Sequence, residues 1–178
     1  MGWWSDWRAA QERRRRATYF AGRCADVPPV EWLAWLEELC GDAGRARQEL
    51  ELAMRAIGLI VAERDALDDR TVSEVARAMA PVLAREVAER PERAAAWGTR
   101  WRAYGEAMNR RGVSEPPLYR LGRVLLAAVG VEAPDDAQVR RAATAVGDMR
   151  ERLNASLRRA FGEAKLPEDV RPSALQWR

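Results

Sequence analysis

The stretch that decides the fold is residues 51–67, with the sequence ELAMRAIGLIVAERDAL. Between Leu52 and Ala62 the only polar residue is Arg55. A helix at the surface of a globular protein has one apolar stripe, whereas this segment would be apolar on nearly all sides. We therefore expect a buried central helix, at about residues 42–67, with the other helices packed around it.

The composition of the whole chain predicts an all-α fold. Hydrophobic residues make up 48% of the 178 residues and charged residues 32%, which suits one globular domain with a core. Ala, Leu, Arg and Glu dominate and are strong helix formers, whereas only two Phe and three Tyr are present and runs of Val, Ile and Thr are absent. Helix-start and helix-end signals divide the chain into six or seven helices. The expected architecture is a single-domain helical bundle over residues 1–166, with 1–23 as a first helix or docking arm, and an irregular C-terminal tail over 167–178.

Local signals predict where several helices begin and end. Gly41 is expected to end one helix, and Asp42 is expected to cap the start of the central one. Capping boxes, in which two side chains satisfy the first free amides of a helix, are predicted at Thr71 and Asp135. Pro81 is expected to kink or split the helix that follows Thr71.

The charges are unusual in kind and in distribution. Lys165 is the single lysine among 30 basic residues, and the other 29 are arginine, which binds carboxylates and phosphates with two parallel hydrogen bonds. A GC-rich genome would produce the same bias. Residues 1–23 carry six Arg against two acidic residues, a net charge of +4, whereas residues 24–69 carry four Arg against eleven acidic residues, a net charge of −7. This pattern suits contacts between copies of the chain or with a basic partner, and it also suits ion pairs within the chain, the interpretation we favour.

Several kinds of chemistry are not expected. The chain contains no histidine, the commonest general base and metal ligand. Cys24 and Cys40 cannot form a zinc site alone, and without a secretion signal they are expected to be reduced thiols. The glycine-rich motifs that bind phosphate are absent. We therefore expect no catalytic site, no metal and no cofactor. No stretch is long and apolar enough to span a membrane, and the expected location is the cytoplasm.

The clearest binding signal lies on the helix predicted over about 92–111, where a row of arginines borders an aromatic stripe and lies away from the acidic residues. A row of cations for phosphates beside aromatic rings for bases is the combination that single-stranded nucleic acid requires. The candidate nucleic-acid-binding residues are Trp97 and Tyr104 with Arg93, Arg100 and Arg111, and also Arg158 and Arg159 near the end of the last helix. The alternative is that Trp97, Trp101 and Tyr104 belong to the core and the arginines lie at its rim.

The two terminal segments carry candidates for docking a partner. A first helix over residues 3–22 has tryptophans near its start and a run of four arginines, a combination typical of a membrane-surface helix, a nucleic-acid contact or a docking arm. The partner-docking candidates are Trp3, Trp7, Arg13, Arg14, Arg15, Arg16 and Trp177. The alternative is that the tryptophans cap the core while the arginines are solvated.

These features suit functions of different classes. The first is a non-catalytic helical subunit of a larger nucleoprotein assembly, with protein subunits or copies of itself and single-stranded RNA or DNA as partners. As a class such proteins resemble the small subunits of CRISPR effector complexes, although no motif in this chain carries that comparison. The second is a helical protein–protein interaction or adaptor module with tryptophan hot spots and no nucleic acid. A peripheral membrane-surface role for the first helix is the third.

Overall fold

The computed structural model describes residues 3–65, 69–110 and 112–162, which form seven helices and no strand. The helices are α1 (Trp3–Cys24), α2 (Val30–Cys40), α3 (Ala43–Asp65), α4 (Asp69–Glu89), α5 (Glu92–Asn109), α6 (Pro117–Ala128) and α7 (Asp136–Phe161). The fold is an all-α, single-domain helical bundle, as the composition predicts. Arg111, Trp177 and the tail predicted over 167–178 lie outside the residues described.

Three of the predicted helix ends are confirmed. Gly41 ends α2 with φ of 69°, in the left-handed region that favours glycine. The Asp42 Oδ1 atom accepts a hydrogen bond from the backbone N–H of Arg45 at 3.0 Å, which caps α3. At the start of α7, Asp135 accepts from the backbone N–H of Gln138 at 2.8 Å, and the Gln138 side chain accepts from the Asp135 N–H at 2.9 Å.

The start of α4 differs from its prediction. The helix begins at Asp69, so Thr71 is buried within the first turn, and the prediction of Thr71 as N-cap is wrong. Pro81 lies inside a single helix that continues to Glu89, so it does not split α4. Proline removes one helix hydrogen bond and crowds the preceding turn. Packing of α4 against α1, α3 and α5 outweighs this local cost.

Helix α3 lies at the centre of the bundle, which confirms the prediction from residues 51–67. Every residue from Leu52 to Ala62 except Leu59 is buried, and α3 contacts all six other helices. Burial of a large aliphatic side chain contributes about 1.5–3 kcal/mol. A helix buried on all sides therefore supplies much of the driving force for assembling the other six around it.

Two glycines allow helices to approach each other closely. A Cβ atom on Gly58 would lie 2.3 Å from the Sγ atom of Cys24, where α1 contacts α3. A Cβ atom on Gly122 would lie 2.8 Å from the backbone nitrogen of Ala143, where α6 contacts α7. Because a backbone atom cannot move without its helix, the packing of α6 on α7 requires a residue without a side chain at position 122.

Replacement of Gly122 by Ala should lower the free energy of unfolding by about 1–3 kcal/mol, because the added methyl group overpacks the α6–α7 contact. Gly98→Ala in α5 is the matched control, since a Cβ atom there meets nothing within 4 Å. That change should raise the free energy of unfolding by up to about 1 kcal/mol, as expected for a glycine inside a helix. Urea denaturation followed by circular dichroism measures both. An equal effect of the two substitutions would contradict the close approach at Gly122.

The two thiols should react at very different rates. Cys24 is buried, and burial raises the pKa of its thiol to about 12. Cys40 is partly exposed, and its thiol donates a hydrogen bond to the backbone oxygen of Asp42 at 3.4 Å. Because the thiolate is the reacting form, DTNB at pH 8 should label Cys40 in the folded protein and Cys24 only after denaturation. Cys40→Ser should abolish the fast phase, and fast labelling of both thiols would contradict the burial of Cys24.

Candidate nucleic-acid interface

The face of α5 predicted to bind nucleic acid is turned towards the core. Arg93 is only 5% exposed and Tyr104 is completely buried. Trp97 packs against the core and stacks on Trp101 with ring centroids 6.0 Å apart, and Arg100 is half-buried. This placement agrees with the alternative in which the aromatic residues belong to the core. It corrects the expectation of an open row of arginines, because Arg93 and Tyr104 offer no surface to a ligand.

Carboxylates of α3 and α4 hold the buried arginines in place. The Arg93 guanidinium lies 2.7 Å from a Glu51 oxygen and 3.5 Å from a Glu86 oxygen. Glu86 also accepts a hydrogen bond from the Nε atom of Arg55 at 2.9 Å. Arg55, the one polar residue in the apolar stretch of α3, is thus half of an ion pair that joins α3 to α4. Together these four side chains connect α3, α4 and α5.

A second pair, between half-buried Arg100 and buried Glu49, joins α5 to α3. Arg100 donates two hydrogen bonds to Glu49, at 2.5 and 2.8 Å, and this bonding raises the pKa of Arg100. Burial raises the pKa of the neighbouring Tyr104, which keeps its phenol neutral. Glu49 and Glu51 of the acidic 24–69 segment therefore form ion pairs within the chain. This is the interpretation that the charge pattern favoured.

Arg158 and Arg159 are exposed in the last turn of α7. Cations at this position also interact favourably with the helix dipole, so their exposure has a structural explanation. They do not line either of the two arginine-containing grooves described below. Their contact with nucleic acid stays a prediction.

The arginine run of α1 lies at the surface, apart from Arg13, which is half-buried. Arg16 pairs with Glu12 at 3.0 Å. Within the part of the chain that the structure describes, Arg13, Arg14 and Arg15 have no carboxylate partner. These cations are thus available to an external anion in a way that the arginines of α5 are not.

A groove of about 570 Å³ separates α1 from α4. Its cations are Arg14 from α1 and Arg77 and Arg85 from α4, and Glu74 is the only carboxylate among the described residues that line it. Glu74 pairs with Arg77 at 3.1 Å, whereas no described carboxylate pairs with Arg14 or Arg85. The rest of its described lining is Thr18 and the apolar residues Ala21, Gly22, Ala78, Pro81 and Val82. The groove therefore has a net positive charge and a largely apolar lining.

The helical repeat explains how α4 presents its two cations to the groove. Val75 and Met79 are buried and hold α4 against the bundle. Arg77, Pro81 and Arg85 are spaced by four residues, so they follow one another along the adjoining side of the helix. Their side chains consequently line one wall of the groove, with Arg14 on the other wall.

Three tryptophans are exposed at the start of α1. The exposed fractions of Trp3, Trp4 and Trp7 are 66%, 59% and 48%. Their rings contact one another, with centroids 4.4 Å apart for Trp3 and Trp4 and 6.0 Å apart for Trp4 and Trp7. The other described tryptophans belong to the core or pack against it: Trp32, Trp35, Trp97 and Trp101. The predicted docking residues Trp3 and Trp7 therefore do lie at the surface.

Arg77, Arg85 and Trp4 are candidates that the sequence does not single out. The spacing of eight residues between Arg77 and Arg85 is visible in the sequence and places them on one side of a helix. The position of that side opposite Arg14 depends on the packing of α1 against α4, which no local pattern encodes.

A second groove, of about 690 Å³, lies between α5 and α6, and two of the three arginines among its described lining residues are already engaged. Arg120 is buried and donates to backbone oxygens of Ala107, Glu115 and Arg110. Arg123 pairs with Glu115 at 2.8 Å. The hydrogen bonds of Arg120 hold the end of α5 to the start of α6. This groove therefore offers an anion less free positive charge than the α1–α4 groove does.

The described ranges hold neither a cluster of metal-ligating side chains nor a helix that could span a membrane. No three His, Cys, Asp or Glu side chains come together there as a metal site would require. No helix in these ranges has the length and apolarity needed to cross a bilayer. No protein-family model matches the chain, and no curated protein or solved structure was found to be similar to it.

Replacement of Arg93 should lower the free energy of unfolding, because this side chain has a structural role. Arg93→Ala leaves the Glu51 carboxylate without its partner, and breaking a buried ion pair costs about 3–5 kcal/mol. Arg102→Ala is the matched control, because Arg102 is exposed on the same helix and a surface change of this kind costs within about 0.5 kcal/mol. Urea denaturation of both variants measures the difference. Equal stabilities would contradict the structural role of Arg93.

Proposed function

We propose that this protein is a non-catalytic helical subunit that binds the phosphate backbone of a nucleic acid in the α1–α4 groove. The observation that carries the proposal is the composition of that groove, whose described lining residues include three arginines and a single carboxylate. The carboxylate already pairs with Arg77, and a pair that is exposed on one side contributes little energy, so Arg77 can exchange it for a phosphate.

The spacing of the cations supports a polymeric anion over a small one. Arg77 and Arg85 are about 12 Å apart along the helix axis, at 1.5 Å per residue. Arg14 stands on the opposite wall. Cations spread along a groove suit successive phosphates of one strand, whereas a single small anion would need them to converge.

The chemistry of the groove supports binding without catalysis. Arginine stays protonated in proteins, so it donates hydrogen bonds to phosphate but does not exchange protons with a substrate. Besides the arginines and Glu74, the only polar side chain among the described lining residues is that of Thr18. These residues include no Asn or Gln to recognise base edges, so the proposed binding depends on phosphate and not on base sequence.

The proposal also includes the assembly and the cellular compartment in which the protein works. A backbone-binding subunit of this kind would work within a larger nucleoprotein assembly, on RNA or on DNA. The two cysteines have free thiols, which suit a reducing compartment such as the cytoplasm.

One observation favours a second candidate function, a protein–protein adaptor module. Trp3, Trp4 and Trp7 are exposed together, and tryptophan is enriched among the residues that dominate protein interfaces. The net charge of +4 on residues 1–23, six Arg against two acidic residues, favours a polyanion over a partner of ordinary surface charge. We therefore put nucleic acid first.

Fluorescence anisotropy with labelled single-stranded RNA and DNA tests the proposal. Three phosphate contacts predict a slope of about −2 for the logarithm of affinity against that of salt, or a roughly 20-fold loss between 50 and 200 mM. The variant R14Q/R77Q/R85Q should bind at least about tenfold more weakly at the lower salt, since one charged hydrogen bond alone contributes about 1.5 kcal/mol.

The matched control is R47Q/R102Q/R140Q, which removes the same charge from exposed arginines that do not line the groove. It should keep most of the affinity, and both variants should stay folded by circular dichroism. Equal losses in the two variants would mean that binding follows net charge alone, against the groove. Absence of binding at low salt would overturn the nucleic-acid function and favour a protein partner.

A further inference from the structure

We infer that Trp3, Trp4 and Trp7 form a stacking platform for the bases of a single strand whose phosphates lie in the α1–α4 groove. The inference rests on the proposed function and adds the substrate class, which is single-stranded nucleic acid. We call these three residues the tryptophan platform.

The tryptophan platform has no structural role within the described bundle. Residues 3–16 of α1 include no buried residue, whereas the second half of the helix is anchored by Ala17, Phe20, Ala21 and Cys24. Three adjoining tryptophans that are each about half exposed or more form an apolar patch, and such patches mark interaction surfaces. The rings already contact one another, so little side-chain freedom is left to lose on binding.

The platform and the groove lie on the same side of α1. Residues 3, 7, 14 and 18 are spaced by four, seven and four, which is the spacing of one helix face. Arg14 and Thr18 on this face line the groove, and Trp3 and Trp7 continue it towards the start of the helix. Trp7 precedes Arg14 by about 10 Å at 1.5 Å per residue. A strand that leaves the groove along α1 would therefore pass over the rings.

The charge and shape of this face favour a strand over a bilayer. A helix that lies in a membrane surface keeps an apolar face along its length. Here the face is apolar only up to Trp7 and continues with Gln11, Arg14 and Thr18. The cations beyond the platform also lie on both walls of a groove, an arrangement that suits a thin polyanion lying between them better than a flat membrane. Rings followed by cations match the alternation of base and phosphate in an unpaired strand.

Stacking on the platform would select single strands over duplexes. Every base has a flat π-face that can stack on an indole ring, but in a duplex these faces are covered by the neighbouring base pairs. Stacking contributes about 1–3 kcal/mol per base, which is at least about fivefold in affinity for each base. A preference of this size is measurable against a backbone without bases.

The test compares three fluorescein-labelled probes of about 20 nucleotides at low salt: oligo(dT), an abasic strand with the same phosphate backbone, and the dT·dA duplex. The unmodified protein should bind oligo(dT) at least about fivefold more tightly than the abasic strand and the duplex. W3L/W4L/W7L should lose this preference while its affinity for the abasic strand is unchanged. W3F/W4F/W7F, which keeps aromatic rings, should retain it.

The outcomes separate this inference from the proposed function. Equal affinity of the unmodified protein for oligo(dT) and the abasic strand would overturn the platform and leave backbone binding in the groove intact. Absence of binding to all three probes would overturn both. Vesicles with anionic phospholipid form a further arm: tryptophan-dependent vesicle binding, with no preference for oligo(dT), would overturn the platform and assign the patch to a membrane surface. The Trp residues are exposed, so circular dichroism should show all variants folded.

Discussion

The constraint on which the structure depends is the burial of α3 from Leu52 to Ala62, where every residue except Leu59 is buried. A helix that is apolar on all sides needs neighbours on all sides, and six helices supply them. The same helix carries Glu49 and Arg55, which are 4% and 3% exposed. A charge removed from water is strongly destabilising unless an opposite charge meets it at good geometry. Because α3 is buried, its neighbours must supply side chains of opposite charge. These are Arg100 on α5, which pairs with Glu49, and Glu86 on α4, which pairs with Arg55.

This requirement divides the arginines into two populations. Those of α5 that meet α3 act as structural counter-ions, and substituting them weakens the fold before it affects any ligand. Along α1 and the outer side of α4, Arg14 and Arg85 have no carboxylate partner among the described residues, whereas Arg16 and Arg77 pair only with exposed or half-buried carboxylates of their own helices. Net charge alone cannot separate the two populations. The relevant quantity is the number of cations left over after the buried carboxylates have been neutralised.

The limits of prediction from the sequence follow the same division. Local signals such as Gly41, Asp42 and the Asp135–Gln138 capping box depend on residues a few positions apart, and these predictions are confirmed. The apolar run of α3 likewise predicts its own burial. The arginine row of α5 has the correct angular spacing, but its partners lie 42 and 51 residues earlier in the chain. Helical periodicity shows which side chains share one side of a helix, but it does not show which other helix packs against that side. The sequence could therefore group Arg93 with its neighbours on one face but could not assign that face to the core.

The position of the tryptophans relative to the groove follows from the continuity of α1. A short helix in water is marginal by itself, because nucleation is costly and few hydrogen bonds are gained. Here the second half of α1 is packed through Phe20 and Cys24, and this anchored part provides the nucleus from which the first half extends. The directions of side chains along one continuous helix are fixed relative to one another. The packing that places Thr18 at the groove therefore also sets the direction of Trp3 and Trp7. The close contact of Cys24 with Gly58 of α3 thus ties the direction of an exposed aromatic face to the most buried helix of the protein.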